Sequence, residues 1–146
     1  MKPLLSIIIP CYNDAQYVET AVLSALNQTY SNTELIIVDD GSDSLTKAIL
    51  KKIETKITRL ITQENQGQST ARNVGIRESK GEYILVLDSD DYFEPSFCEK
   101  AINILLENKN IKIVTCFANL IFEKEISYIY KPKGGDKKAF LFSNNA

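Results

Sequence analysis

Tyr83-Ile84-Leu85-Val86-Leu87-Asp88-Ser89-Asp90-Asp91 passes from β-prone, apolar sequence straight into three carboxylates. Gly81 precedes the stretch and the acids follow it, so Tyr83–Leu87 reads as a strand buried on both faces. In an open α/β sheet, ligands sit beyond the carboxyl ends of the strands. The strand is therefore expected to deliver Asp88 and Asp90 to a binding rim. Neighbouring carboxylates repel unless a cation neutralises them. Their oxygens suit a hard divalent ion, so Mg²⁺ or Mn²⁺ carrying a phosphate is the matching partner. The plain alternative is a solvated acidic loop.

The flanking sequence supplies the rest of such a sheet. Leu4–Ile9 reads as a first strand closed by Pro10, with Asp14 as N-cap of a helix over residues 15–28. Val18, Ala21, Val22, Ala25 and Leu26 repeat at helical spacing in it. Glu34–Val38 reads as a second strand ending at Asp39-Asp40-Gly41-Ser42, where Gly41 permits a tight turn. A second helix carries Leu45, Ala48, Ile49 and Ile53 on one face. A weaker strand near Ile57–Thr62, a polar loop Gln63–Gln68 and a third helix over Ser69–Ser79 follow. Lys80-Gly81 ends that helix. Glu94-Pro95 opens a fourth helix, with Phe97, Ala101, Ile102 and Leu105 as its apolar stripe. Ile111–Phe117 reads as a fifth strand and residues 118–130 as a further strand or hairpin. A basic loop Lys131–Lys138, read as a solvated face, and an apolar patch Ala139–Phe142 close the chain. Strands alternating with helices predict βαβ units, a mostly parallel sheet and right-handed crossovers.

Composition narrows the function. With 146 residues, 44% hydrophobic and 25% charged, the chain has material for one core. The net charge of −2 shows no basic face for nucleic acid. The absence of histidine removes His acid–base chemistry, Ser-His-Asp triads and His-ligated zinc. Any catalysis must then rest on carboxylates and a metal. Cys11, Cys98 and Cys116 are odd in number and widely spaced, which predicts free thiols in a reducing compartment. No apolar run approaches the ~20 residues that cross a bilayer. The expected location is the cytoplasm, including the inner face of a membrane, with membrane contact only through sequence beyond Ala146.

Three strand ends share one character: Pro10-Cys11-Tyr12-Asn13, Asp39-Asp40 and Asp88-Ser89-Asp90. An aromatic ring beside a carboxylate suits a nucleobase, and Asp-x-Asp suits a metal with a diphosphate. Arg72, opening the third helix, can offer its planar fork of donors to a phosphate. No Gly-x-Gly-x-x-Gly follows the first strand, and no Gly-x-x-x-x-Gly-Lys-Ser/Thr is present. Without those backbone cradles, a cation must meet the diphosphate charge. Bland readings stand beside these: Asp39-Asp40 as a turn capping the second helix, Tyr12 as packing, Arg72 as a surface charge.

Five ordered blocks then carry a resemblance: Ser6–Asn13, Ser24–Tyr30, Glu34–Ser42, Asn65–Gly75 and Lys80–Asp91. Together they make the chain similar to the N-terminal portion of family-2 glycosyltransferases. The resemblance implies a Rossmann-like GT-A fold of class α/β, truncated at its C-terminus. Residues 1–117 would form the nucleotide-sugar-binding half and residues 118–146 an incomplete start of the acceptor half. It also implies transfer of a sugar, with inversion, from a nucleotide-diphosphate sugar (a UDP-sugar) to a saccharide or lipid-linked acceptor. Pro10 and Tyr12 would line the uracil pocket, Asp40 would bond the ring and Asp39 would orient the turn. Arg72 would lie near the phosphates, Asp88 near the ribose or metal, and Asp90 would ligate Mn²⁺ or Mg²⁺. The catalytic base would lie beyond Ala146. A non-catalytic nucleotide-sugar-binding module is the second reading. A phosphotransferase with an Asp nucleophile is the third, disfavoured because such acids follow a first strand.

Overall fold

The computed structural model describes residues 1–122 and 125–131. Glu123, the basic loop beyond Lys131 and the patch Ala139–Phe142 lie outside the described residues. Contacts divide the chain into two compact units between Glu99 and Lys100.

In the first unit, β1 (Leu5–Cys11), β2 (Thr33–Asp39), β3 (Arg59–Thr62) and β4 (Tyr83–Val86) form a parallel sheet in the order β3-β2-β1-β4. Helices α1 (Val18–Leu26), α2 (Ser44–Ile53) and α3 (Gln68–Glu78) connect the strands. The alternation read from the sequence is thus present. The strand expected to be buried on both faces is not the central one. Among the described residues β4 lies at an edge, and its Ile84 is 41% exposed. The all-buried strand is β1, flanked on both sides, as the continuous apolar run Ile7-Ile8-Ile9 requires.

Pro10 does not close β1. It stays paired with Val38, and the β1–β2 ladder runs on to Cys11 and Asp39. What ends there is the β4 side. Ile8 accepts from the Leu87 amide at 2.9 Å, and Pro10, two residues on, turns its nitrogen to the same neighbour. With no N–H to offer, it stops that ladder. Asp88–Asp91, beyond that last bond, are thereby released from the sheet.

The helices show where tertiary packing overrode local pattern. Asp14 does not cap α1 with its side chain. The N-cap is Tyr17, and the amides of Tyr17 and Val18 both donate to the Asp14 carbonyl at 3.0 Å. Leu26, placed on the apolar face, is 42% exposed. In α2 the buried face is Thr46, Leu50 and Ile53, while Leu45 is 64% exposed and Ala48 is exposed. The N-cap there is Asp43, whose Oδ1 accepts from the Thr46 amide at 2.7 Å. Helix α3 lies against β1 and β2 at Gly75, where a Cβ would sit 2.3 Å from Ile8 Cγ2. Ala71 joins Ile36 and Val38 in the core, with Ile61 and Val74 against them.

At the amino end of the sheet, Glu34 is 8% exposed. Its carboxylate accepts from Ser6 Oγ, from the Lys80 amide at 2.6 Å and from the Gly81 amide at 3.1 Å. A Cβ on Gly81 would lie 2.6 Å from the Ser6 nitrogen, so only glycine fits beside β1 here.

Helix α4 (Phe97–Glu107) carries its expected stripe, with Cys98 and Ile102 buried. In the second unit, β5 (Ala118–Phe122) and β6 (Glu125–Tyr130) form an antiparallel hairpin with a register shift after Leu120. Of the two arrangements open to residues 118–130, strand or hairpin, the pairing is that of a hairpin. The fifth strand expected over Ile111–Phe117 is not: the segment pairs with no strand among the described residues, and Ile113 and Phe117 are each 65% exposed. Apolar alternation makes a strand only where a neighbour supplies the hydrogen bonds. No described helix is long and apolar enough to cross a membrane.

Candidate functional site

Because β1 to β4 are parallel, their carboxyl ends open on one side, and hydrogen bonds tie the loops leaving them into one rim. The β1 loop joins the β2 loop at Asn13, which adopts a left-handed backbone (φ 58°). The Asn13 amide donates to Ser42 Oγ at 3.1 Å, and its Oδ1 accepts from the Asp43 amide at 2.7 Å. The same loop reaches β4: Ser89 Oγ donates to the Asp14 carboxylate across 75 positions of sequence. Asp14 therefore serves the acidic loop instead of capping α1.

The paired acids after β2 divide their work. Asp39 is 1% exposed, and its Oδ1 takes the Ser42 amide at 2.9 Å, which holds the turn around Gly41. Asp40 is 2% exposed. Its Oδ1 accepts from Gln63 Nε2 at 2.7 Å and the Gln66 amide at 2.9 Å, and its Oδ2 accepts from the Gly67 amide at 2.8 Å. A buried carboxylate needs such donors. Asp40 thus anchors the loop that leads from β3 into α3. That loop looked like an ordinary polar segment in sequence, and its partner lies more than twenty residues upstream.

Helix α3 then carries Arg72 to the β4 loop. Arg72 Nη2 donates to Asp88 Oδ1 at 2.6 Å, and both side chains are 34% exposed. Arg72 Nε is buried with no hydrogen-bond partner among the described residues. Arg72 and Asp88 line a pocket of about 280 Å³ with Val86, Leu87, Asp91 and Phe93. Phe93 stacks on Phe97 at 4.5 Å between centroids, which stiffens that wall. Asp90 is exposed beside the pocket. Partial desolvation, then the nearby Asp90 and Asp88 carboxylates, push the Asp91 pKa up.

The structure thus brings Arg72 and Asp88 into contact and leaves Asp90 exposed in the same loop, close to Asp91. Pro10 is buried at the end of β1, with Tyr12, half exposed, just past it. Asp40 faces the loop it anchors. Sequence reading missed Asp14, Gln63, Gln66 and Phe93 as parts of the site. An acid beside the first strand end was the only visible hint of Asp14.

Among the described residues, no group of three or more acidic, Cys or His side chains converges on a metal position. The chemistry of the acidic loop nevertheless suits a divalent ion. Asp88 pairs with Arg72 and Asp91 feels the Asp90 and Asp88 charges, and hard oxygen donors match Mg²⁺ or Mn²⁺ held by one or two carboxylates plus phosphate oxygens. Asp88 and Asp90 would hold such an ion.

Comparison with known proteins agrees with this geometry. The family model for glycosyl transferase family 2 matches residues 6–143. An uncharacterized glycosyltransferase of Rickettsia typhi is 47% identical over 134 residues, covering 90% of this chain and 42% of its own length. One from Haemophilus influenzae is 44% identical over 109 residues, covering 73% of this chain and 44% of its own. The chain spans less than half the length of these curated relatives. Among solved structures, S. aureus TarS residues 1–349 in complex with UDP-GlcNAc superposes with a TM-score of 0.65 at 30% identity, covering 73% of this chain and 32% of that one. A mannosyltransferase from Pyrobaculum calidifontis, solved with GDP-Man and Mn²⁺, shares the fold at a TM-score of 0.59 and 24% identity, covering 64% of this chain and 29% of that one. The parallel sheet with its flanking helices is the GT-A fold, and with a family match running through every loop of the rim, the chain belongs to glycosyl transferase family 2.

Proposed function

We propose that this chain is the donor-binding portion of a glycosyltransferase that moves a sugar from a nucleotide-diphosphate sugar, a UDP-sugar, to an acceptor hydroxyl with inversion. The observation that carries the reading is the Arg72–Asp88 pocket on a rim assembled from every strand end of the sheet. A guanidinium beside clustered carboxylates suits a diphosphate that arrives with a cation. The UDP-GlcNAc complex of TarS, at 30% identity, supports uridine as the base.

In this reading the nucleotide lies along the rim. Pro10 and Tyr12 flank the base, with the half-exposed Tyr12 ring free to stack on it. Asp40, expected to bond the ring, instead spends its carboxylate on the Gln63–Gly67 loop and shapes the base site through it, while Asp39 keeps the turn closed. Arg72 receives phosphate oxygens. Asp88 and Asp90 hold Mn²⁺ or Mg²⁺, which when bound supplies Lewis-acid stabilisation to the departing diphosphate. Residues 1–117 serve the donor and residues 118–146 begin the acceptor side. The acceptor is a saccharide or a lipid-linked saccharide.

Calorimetry of UDP in the presence of Mn²⁺ tests the reading directly. Wild type is expected to bind, and Asp90→Ala to lose cation-dependent binding while keeping its thermal midpoint, because Asp90 is exposed. Unchanged UDP affinity in Asp90→Ala would refute the metal role. Release of UDP from a UDP-sugar by the full-length protein separates a transferase from a module that only binds.

A further inference from the structure

We propose that Arg72 is an exchangeable counter-ion of Asp88: it pairs with that carboxylate before the donor binds, and passes to the diphosphate when a divalent cation takes its place. This exchange rests on the donor-binding reading above and adds to it a coupling between cation and nucleotide.

The contact has the features of a pair made to be broken. It runs through one guanidinium nitrogen, Nη2, to one carboxylate oxygen, Oδ1, at 2.6 Å. Arg–carboxylate pairs built for permanence are commonly bidentate. Both side chains are 34% exposed, so water offsets the separation of the charges. The Nε proton is buried without an acceptor among the described residues, leaving a donor unused on the same planar group. Both residues line the 280 Å³ pocket, so a ligand there meets both at once.

The backbones beneath them are fixed. Ala71 is fully buried beside Arg72, and Gly75 one turn on presses α3 against Ile8 and Val38. Ser89, next to Asp88, is 4% exposed and tied to Asp14. Only the two side chains have freedom to change partners.

Charge sets the order of events. Asp88 is paired with Arg72, and the Asp90 and Asp91 charges lie close to it in the same loop, so a bare diphosphate is repelled and a bare cation must displace Arg72. When both ligands arrive, the cation satisfies Asp88, and the freed guanidinium meets phosphate oxygens that match its fork of donors. Each ligand removes the obstacle to the other, which is positive coupling, and it must be reciprocal.

Calorimetry on the 146-residue chain tests this with three titrations: Mn²⁺ alone, UDP alone, and UDP at saturating Mn²⁺. In wild type, Mn²⁺ is expected to tighten UDP at least about fivefold. Arg72→Met is expected to bind Mn²⁺ alone about fivefold more tightly, because Asp88 is released, and to bind UDP with Mn²⁺ about tenfold more weakly, with the coupling reduced to what the cation alone supplies. Arg72→Gln carries the same two expectations if the methionine variant fails to fold. Opposite signs for cation and nucleotide are a signature that a merely structural arginine does not produce. Unchanged or weaker Mn²⁺ binding in the folded variants overturns the exchange, leaving Arg72 as a phosphate ligand only. A wild type that binds no UDP at any Mn²⁺ concentration overturns the donor reading itself, and the exchange with it.

Discussion

Asp40 shows how much one buried carboxylate can organise. Its two oxygens collect three donors from the β3–α3 loop, and the residue has almost no contact with solvent. Replacing it with asparagine keeps the shape but turns an amide N–H₂ toward groups that also donate. Leaving a buried donor unsatisfied costs about 1–3 kcal/mol. Asp40→Asn is therefore expected to lower stability by about that amount in urea titration. It should also weaken UDP binding, since the loop beside the base loses its anchor. Wild-type stability in the variant would show that the loop holds itself. Asp39, one residue earlier, spends its Oδ1 on the Ser42 amide and closes the turn. Two adjacent acids thus act on different loops, a division no spacing rule reveals.

Helix α3 depends on a glycine for its seat. Any Cβ at position 75 collides with Ile8 Cγ2 and presses on Val38 Cγ2, both on core strands with no room to retreat. Gly75→Ala should destabilise the chain by about 1–3 kcal/mol, although alanine is the better helix former. A raised melting temperature in that variant would contradict the packing argument. Helix α2 offers a test by pH. The Asp43 carboxyl lies below the usual carboxylate range, chiefly through its bond from the Thr46 amide. A depressed folded pKa means the cap's contribution is present above the unfolded value and lost as pH falls through the folded one. The stability gap between wild type and Asp43→Ala should accordingly be full at pH 7 and shrink in acid. A gap that stays constant down to pH 2 would rule out the ionised cap.

Across the whole chain, the three free thiols report burial. Desolvation pushes Cys11 and Cys98 up to about 12, with the Asp14 charge adding to it at Cys11. Cys116 is exposed. Iodoacetamide at pH 8 should label Cys116 well before the other two in the native protein, and all three alike in denaturant, as peptide mass spectrometry would read. Early labelling of Cys11 would mean that the core around β1 opens. The odd count and wide spacing of the cysteines had already argued for free thiols.

The alternation of strands and helices, the parallel sheet and the delivery of Asp39, Asp40, Asp88 and Asp90 to strand ends were all legible before any coordinates. These features are local: apolar runs of strand length, helical spacing, Gly41 at a turn and acids directly after a strand. Sheet order was not legible. β1 is central and β4 an edge because of pairings across dozens of residues, and Ile84 and Ile7 look alike in sequence. The buried face of α2, the coil at Ile111–Phe117, the Asp14–Ser89 bond and the Arg72–Asp88 pair were equally hidden. Each depends on which segment ends up beside which. Periodicity and turn chemistry are properties of neighbours along the chain, whereas the partner of a carboxylate or an exposed isoleucine is chosen by the closing of the fold around it.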